Sequence, residues 1–209
     1  MGARTIARNP ADKNFYLLDA NFLVNRFISP DCVLKPKEKI RVEASQRWWD
    51  EIDRQVKTGK AFLYVPDVCV AEAFRVLAKK YYLEKYFRKP IDYKRARDRL
   101  SRFLHMSPKA LKAANRAIHV HDISTSRDVV VAVDRFNETL FKHKLQVSVV
   151  DVLVLATAKY LVDFFHIPRQ SLFVITLDND LWRGSKKFAD VPSAFNPCVD
   201  RESASNVFV

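Results

Sequence analysis

The chain has 209 residues, 48% of them hydrophobic, and its 36 Lys and Arg against 24 Asp and Glu give a formal net charge of +12. This composition is typical of one globular domain, and no run of 18 apolar residues is present, which argues against intrinsic disorder and a membrane-spanning helix. The three glycines are too few and too scattered for a glycine-rich phosphate loop, and the three cysteines are too far apart for a disulfide framework. Free cysteines and the lack of a secretory signal predict a cytoplasmic protein.

Apolar runs and helical periodicity predict strands that alternate with helices along the chain. In chain order, the predicted elements are a strand at 15–18, a short helix at 21–28, a helix at 36–57, a strand at 61–65, a helix that ends near residue 86, a basic helix at 92–104, a short helix after Pro108, a strand at 118–120, helices at 126–144 and 149–165, a strand at 172–177 and an edge strand in the tail. This order predicts an α/β fold with three layers, α/β/α, around a central, mainly parallel sheet of four to five strands. We expect one domain over residues 14–200, with tails at 1–13 and 201–209.

The positive charge is concentrated between residues 79 and 116, where 13 Lys and Arg and three acids together carry +10 of the net charge. We expect this segment to form a helical insertion or lid on the α/β core. Aromatic residues are interleaved with the basic ones, a combination that suits nucleic acid through phosphate contacts and base stacking. The alternative is a solvated helical face whose aromatics lie in the core. The candidate nucleic-acid-binding residues are Lys79, Lys80, Lys85, Arg88, Lys94, Arg95, Arg97, Arg99 and Arg102.

Four acids occupy positions that suit a site at one edge of the sheet. Asp19 and Asp178 follow the first and the last of the long apolar strands, where parallel sheets bind their ligands. Glu72 and Asp151 lie inside apolar helical runs, where an unpaired carboxylate is costly to bury. A shared divalent cation lowers that cost, and Mg²⁺ or Mn²⁺ prefers such oxygen ligands.

Each of these acids also has a purely structural interpretation. Asp19 could cap the helix that follows it, and Asp178 could form an Asx turn. Asp151 lies in a first helical turn, where the helix dipole favours an anion. Glu72 could pair with Arg75 or Lys79 on its own helix.

Four short motifs occur in the order found in PIN domain nucleases, and together they resemble that family over most of the chain. Asp19 lies in the first motif, Glu72 in the second, Asp151 in the third and Asp178 in the fourth. The motifs are Tyr-Leu-Leu-Asp-Ala-Asn-Phe-Leu-Val at 16–24, Pro-Asp-Val-Cys-Val-Ala-Glu-Ala-Phe at 66–74, Val-Asp-Val-Leu-Val-Leu-Ala-Thr-Ala at 150–158 and Val-Ile-Thr-Leu-Asp-Asn-Asp-Leu at 174–181.

The resemblance implies that these four acids hold one or two Mg²⁺ or Mn²⁺ ions, with Asp180 as an accessory acid and Asn21 and Thr176 as positioning groups. It implies an endoribonuclease that hydrolyses phosphodiester bonds of single-stranded or structured RNA with metal-activated water. It also allows the toxin of a toxin–antitoxin pair, with an antitoxin or another protein as partner. The basic stretch between the second and third motifs is, however, longer than in the compact toxins of the family.

Two other functions compete with this one. A phosphatase with an aspartyl nucleophile would need a second Asp two residues after Asp19, where Asn21 stands. A non-catalytic module would keep the PIN-like fold and bind RNA or a protein partner through the basic segment alone. Apolar residues around Trp48 and at Phe164 and Phe165 are candidates for a homodimer surface.

Overall fold

The computed structural model describes residues 13–105, 120–123, 125–200 and 208. The described strands are β1 (Asn14–Leu18), β2 (Ala61–Pro66), β3 (Val120–Ile123), β4 (Leu172–Ile175) and β5 (Ala194–Phe195). The described helices are α1 (Ala20–Asn25), α2 (Pro36–Lys57), α3 (Asp67–Tyr82), α4 (Pro90–His105), α5 (Arg127–Lys142), α6 (Val149–Phe165) and α7 (Asn179–Ser185), with 3₁₀ turns at Pro30–Cys32 and Arg169–Ser171.

The predicted element order is confirmed over these residues, and the differences lie at element ends. The predicted strand at 172–177 is shorter, since pairing stops at Ile175, and the chain then enters α7, a helix that the sequence analysis did not predict. The short helix after Pro108 and residues 106–116 of the basic segment lie outside the described residues. The same holds for residues 118 and 119 of the third predicted strand and for most of the two tails.

All five strands form one parallel sheet with the order β3-β2-β1-β4-β5, which confirms the predicted α/β fold. The chain first builds outward from β1 through β2 to β3 and then crosses back to β4 and β5. Because crossovers between parallel strands are right-handed, the helices before and after this reversal cover opposite faces of the sheet. The reversal leaves a switch point between β1 and β4, and ligands of open α/β sheets bind at such a point, beyond the carboxyl ends of the strands.

Two tryptophans of α2 belong to the core. The Trp49 ring stacks on Phe22 at 5.0 Å between ring centroids, and its indole N–H donates to the Phe22 carbonyl oxygen at 3.1 Å. Trp48 is buried as well, in contact with Phe208. The Trp48 ring is therefore covered by the chain itself and serves packing in the core. Phe164 and Phe165, in contrast, are exposed.

The described part of the basic segment is attached to this core by its aromatic residues. Tyr86 and Phe87 are buried, and the Tyr81 and Tyr93 rings stack at 4.3 Å between centroids, which joins α3 to α4. Phe103 contacts Phe27 at 5.4 Å. The alternative in which the aromatics serve packing is thus correct for most of them, and Tyr82 is the aromatic side chain of the described segment that is mainly exposed. No helix in the described ranges is both long enough and apolar enough to cross a membrane.

The central position of β1 makes its side chains sensitive to truncation. Leu17 is fully buried between β2 and β4, so we expect Leu17→Ala to lower the free energy of unfolding by about 2–5 kcal/mol through lost burial and a residual cavity. Leu83→Ala is the matched control, because Leu83 is exposed at the end of α3 and its truncation should change stability by less than about 0.5 kcal/mol. Urea unfolding of the three proteins measures both values, and similar losses in the two variants would contradict this packing.

Candidate active site

The pairing of β1 with β4 places the first two site residues side by side. Leu18 is in register with Ile175, and the next backbone N–H, that of Asp19, donates to the Ile175 carbonyl oxygen at 3.0 Å. The Thr176 hydroxyl then donates to Asp19 Oδ2 at 3.1 Å and accepts the backbone N–H of Asp178 at 2.9 Å. Thr176 therefore fixes the Asp19 carboxylate and connects it to the turn that carries Asp178.

Asp19 is a fully buried carboxylate with one unpartnered oxygen. It occupies the N-cap position of α1 without a side-chain capping hydrogen bond, although the backbone N–H of Asn21 in that helix favours its charged form. Its Oδ1 has no hydrogen-bond partner among the described residues. Burial raises the pKa of Asp19 to about 7, and the negative charges of Asp151 and Glu72 act in the same direction, against a smaller effect of the Thr176 hydroxyl.

Asp151 enters the same site from the first turn of α6. Ser148 caps that helix, and its hydroxyl both donates to Asp151 Oδ2 at 2.6 Å and accepts the Asp151 backbone N–H at 3.2 Å. Burial raises the pKa of Asp151 to about 6, with further contributions from the charges of Asp178 and Glu72 that the Ser148 hydrogen bonds oppose. The helix start thus orients this carboxylate, while the neighbouring acids disfavour its ionisation.

Glu72 and Asp178 keep some of their ordinary structural roles inside the site. Glu72 of α3 forms an ion pair with Arg75 at 3.5 Å, but the Arg75 side chain is largely exposed, so water screens this pair. Asp178 caps α7, since its Oδ1 accepts the Leu181 backbone N–H at 2.8 Å. That cap occupies one carboxylate oxygen of Asp178.

The charge of Asp151 acts on Asp19, those of Glu72 and Asp178 act on Asp151, and Glu72 also acts on Asp19, so electrostatic interactions link the four predicted acids. Their oxygens are the donor type that Mg²⁺ and Mn²⁺ prefer, and the unpartnered Asp19 Oδ1 is a free ligand atom, so the residues fit such an ion chemically. Within the described ranges, however, no three acidic, His or Cys side chains lie at the mutual distances of a preformed metal site. A bound ion would have to draw the carboxylates closer together.

The three accessory residues have different surroundings. Thr176 contacts Asp19 directly, as described above. Asn21 lies in the first turn of α1 and lines a pocket beside Asp178. Asp180 accepts the Gln146 backbone N–H at 3.3 Å and lies 3.9 Å from Arg183, so its contacts are with the loop before α6 and with its own helix, not with the other four acids.

The predicted basic residues fall into three groups. Lys79 and Lys80 line the pocket beside Asp178, whereas Lys85 and Arg88 line a second, separate pocket of about 250 Å³ with Tyr81 and Tyr82. The remaining predicted residues lie on α4 and are exposed; they are Lys94, Arg95, Arg97, Arg99 and Arg102. The basic segment thus reaches the acids through the end of α3, and α4 presents its charges on an outer surface.

Sequence reasoning missed the part of the site that α2 supplies. Lys35, Glu38 and Arg41 line the pocket beside Asp178, and Arg41 Nη2 donates to the Leu177 carbonyl oxygen at 3.1 Å. No local pattern distinguishes these residues from an ordinary charged helix face. The contact joins residues 136 positions apart, so only the tertiary fold reveals it.

The raised pKa of Asp19 gives a direction for the pH dependence of stability. Unfolded Asp19 ionises near 3.8 and the buried carboxyl near 7, so ionisation is unfavourable in the folded chain and stability is lost as the pH rises through this interval. In metal-free buffer with EDTA, Asp19→Asn should therefore be more stable than the unmodified protein at pH 8, by roughly 1–4 kcal/mol, and equally stable near pH 3. Urea unfolding at a series of pH values measures the difference, and a constant difference would contradict an anionic Asp19 in the folded state.

No family model and no curated protein matches this chain. Solved structures similar to it include VapBC2 from Rickettsia felis bound to a DNA fragment from its promoter, with 13% identity, a TM-score of 0.48 and coverage of 87% of this chain and 98% of that one. FitAcB from Neisseria gonorrhoeae is 19% identical with a TM-score of 0.49, covering 87% and 97%. FitAB bound to an IR36 DNA fragment is 20% identical with a TM-score of 0.48, covering 88% and 95%. These values are too low to assign a function to this chain.

Proposed function

We propose that this protein is a metal-dependent nuclease, and more specifically an endoribonuclease with a PIN-like active site. The observation that carries the proposal is the group formed by Asp19, Glu72, Asp151 and Asp178 at the switch point of the sheet, with a buried and unpartnered oxygen on Asp19. Groups that serve only the fold are rarely buried in this way, because an unpaired anion destabilises the folded state.

The four acids would hold one or two Mg²⁺ or Mn²⁺ ions. When bound, these ions would activate the attacking water and stabilise the charge that develops on the leaving oxygen of the phosphodiester. Thr176 and Ser148 hold the carboxylates of Asp19 and Asp151 in place through hydrogen bonds. The buried Asp19 would contribute its unpartnered oxygen, and Glu72 and Asp178 would complete the ligand set from the more open side.

RNA is the proposed substrate because the basic surface adjoins the acids. Lys79 and Lys80 lie at the pocket beside Asp178, and the exposed cations of α4 extend the positive surface. Phosphate contacts of this kind bind a single strand irrespective of its sequence. Stacking on unpaired bases would fall to Tyr82, since most other aromatics of the described segment are packed.

A protein partner and a homodimer belong to the proposal as well, as does a toxin role with an antitoxin. The exposed aromatic rings of Phe141, Phe164 and Phe165 on α5 and α6 supply apolar surface for such a contact. Because a partner of this kind would cover the chain without entering the carboxylate group, the nuclease proposal does not depend on it.

Cleavage of single-stranded RNA in Mn²⁺ tests the reaction. We expect Asp19→Asn and Asp151→Asn to lose activity by at least about 100-fold, since each removes a negative ligand from the ions that stabilise the transition state. Asp134→Asn is the matched control, because Asp134 lies exposed on α5 and outside the site, and it should cleave like the unmodified protein. Equal activity of all four proteins would refute the assignment.

Metal binding separates the nuclease from a non-catalytic binding module. At a Mn²⁺ concentration about 100 times the dissociation constant, bound metal should add about 2.7 kcal/mol to the stability of the unmodified protein and raise its melting temperature. Asp19→Asn should show little of this shift, whereas Asp134→Asn should show all of it. A binding module without a metal site predicts no shift in any of them, together with tight, salt-sensitive RNA binding in EDTA.

A further inference from the structure

A pocket of about 350 Å³ opens beside the carboxylates, at the same edge of the sheet. It lies between the first turns of α2 and the end of α3, and it shares Asn21 and Asp178 with the candidate active site. Its size is within the range of small-ligand sites in proteins. Its charged and aromatic lining consists of four cations, three acids and one tyrosine: Lys35, Arg41, Lys79, Lys80, Glu38, Glu84, Asp178 and Tyr86.

Lys80 is the unusual residue of this pocket. Its side chain is 8% exposed, and its ammonium lies 4.2 Å from the centre of the Tyr86 ring. Within the part of the chain that the structure describes it forms no ion pair, since Glu84 pairs with Lys79, but the charges of Glu84 and Glu38 still act on it. Burial lowers the pKa of Lys80 to about 8, so the charge is retained near neutral pH at a cost in free energy. A buried cation of this kind needs a compensating anion.

The carboxylates of the pocket are already engaged by other groups. Glu38 accepts the Tyr86 hydroxyl at 2.7 Å and lies 3.5 Å from Arg41. Glu84 pairs with Lys79 at 3.4 Å. The guanidinium of Arg41 is held in place by the Leu177 carbonyl oxygen. Glu84 and Glu38 therefore stabilise the charge of Lys80 without forming an ion pair with it, and an anion bound in the pocket would add a direct contact.

We propose that this pocket binds a phosphate group of the nucleic-acid strand, next to the phosphodiester that lies at the carboxylates, with Lys80 as its main contact and Arg41 as the second. This inference rests on the proposed nuclease function. Asp178 and Asn21 border both sites, so the closely spaced phosphates of a polynucleotide suit a ligand that extends from one site into the other. The pocket would thus set the position of the strand relative to the bond that is cut.

The test uses a ten-nucleotide oligouridylate with a 3′ fluorescent label, in EDTA so that no cleavage occurs. We expect Lys80→Met to raise the dissociation constant by about tenfold, the effect of one lost hydrogen bond to a charged group. The plot of log K against log salt concentration should lose about 0.7 from its slope, the value for one phosphate contact on a single strand. Lys57→Met is the control, since Lys57 is exposed at the opposite edge of the sheet. The affinity of this variant for the oligouridylate should fall no more than twofold.

Chemical substitution of the strand identifies the phosphate. Replacing phosphates one at a time with neutral methylphosphonate should weaken binding of the unmodified protein at one position and leave Lys80→Met unaffected there. A 5′-phosphorylated and a 5′-hydroxyl oligouridylate distinguish an internal phosphate from a terminal one. The absence of any position whose effect depends on Lys80 would overturn the proposal.

Two further measurements keep the outcomes separate. In the unmodified protein, titration with inorganic phosphate should shift the ¹³Cε signal of Lys80 and not that of Lys57. This measurement tests the pocket even if Lys80→Met fails to fold. The absence of a shift at Lys80 would overturn the proposal. Unchanged RNA affinity in a folded Lys80→Met, with cleavage still dependent on Asp19, refutes the pocket alone. Affinity that depends on Lys80, with cleavage that does not depend on Asp19, retains the pocket and refutes the nuclease.

Discussion

The arrangement of the whole site depends on a buried carboxylate at the carboxyl end of the central strand. Asp19 directly follows β1, and the register of β1 with β4 leaves it beside Thr176. The strands are held by apolar burial on both faces, and this stabilisation is what permits an anion with an unpartnered oxygen at their ends. The fold that buries Asp19 also places Asp151 and Glu72 near it. Their negative charges add to the free energy needed to ionise the buried carboxyl. A divalent cation, as proposed above, would offset this cost.

The acidic group and the basic pocket form one electrostatic unit. Arg41 of α2 contacts the carbonyl oxygen of Leu177, one residue before Asp178, while Lys80 lies on the other side of the same pocket. Positive and negative side chains therefore meet at the turn after β4, and in the described part of the chain Arg41 pairs with Glu38 and Lys79 with Glu84. In the proposed function, the basic side chains would attract a polyanion. A divalent cation bound by the acids would prevent them from repelling it.

The sequence predicted those features that depend on local patterns and missed those that depend on tertiary contacts. The bounds of α2 and α6 agree with the prediction, because Pro36 and Ser148 mark their first turns and the apolar periodicity continues to their ends. The strand-end position of Asp19 was equally evident. The role of Arg41 was not, since it arises from contact with a residue 136 positions away. The cap formed by Asp178 was also missed, because an Asx turn and the start of a short helix have the same residue pattern there.

Contacts with the core determine where the described part of the basic segment lies. A lid would need weak contacts with the core, yet Arg26 lies 4.4 Å from the Trp49 ring and 5.1 Å from the Phe103 ring of α4, and it also pairs with Asp53 at 2.7 Å. Cation–π and ion-pair contacts of a partly buried guanidinium stabilise one fixed position of α4 against the core. The helix therefore packs on the core with its cations exposed. A fixed basic surface can hold a strand in one register, and a segment that opens and closes could not do so without a further ordering step.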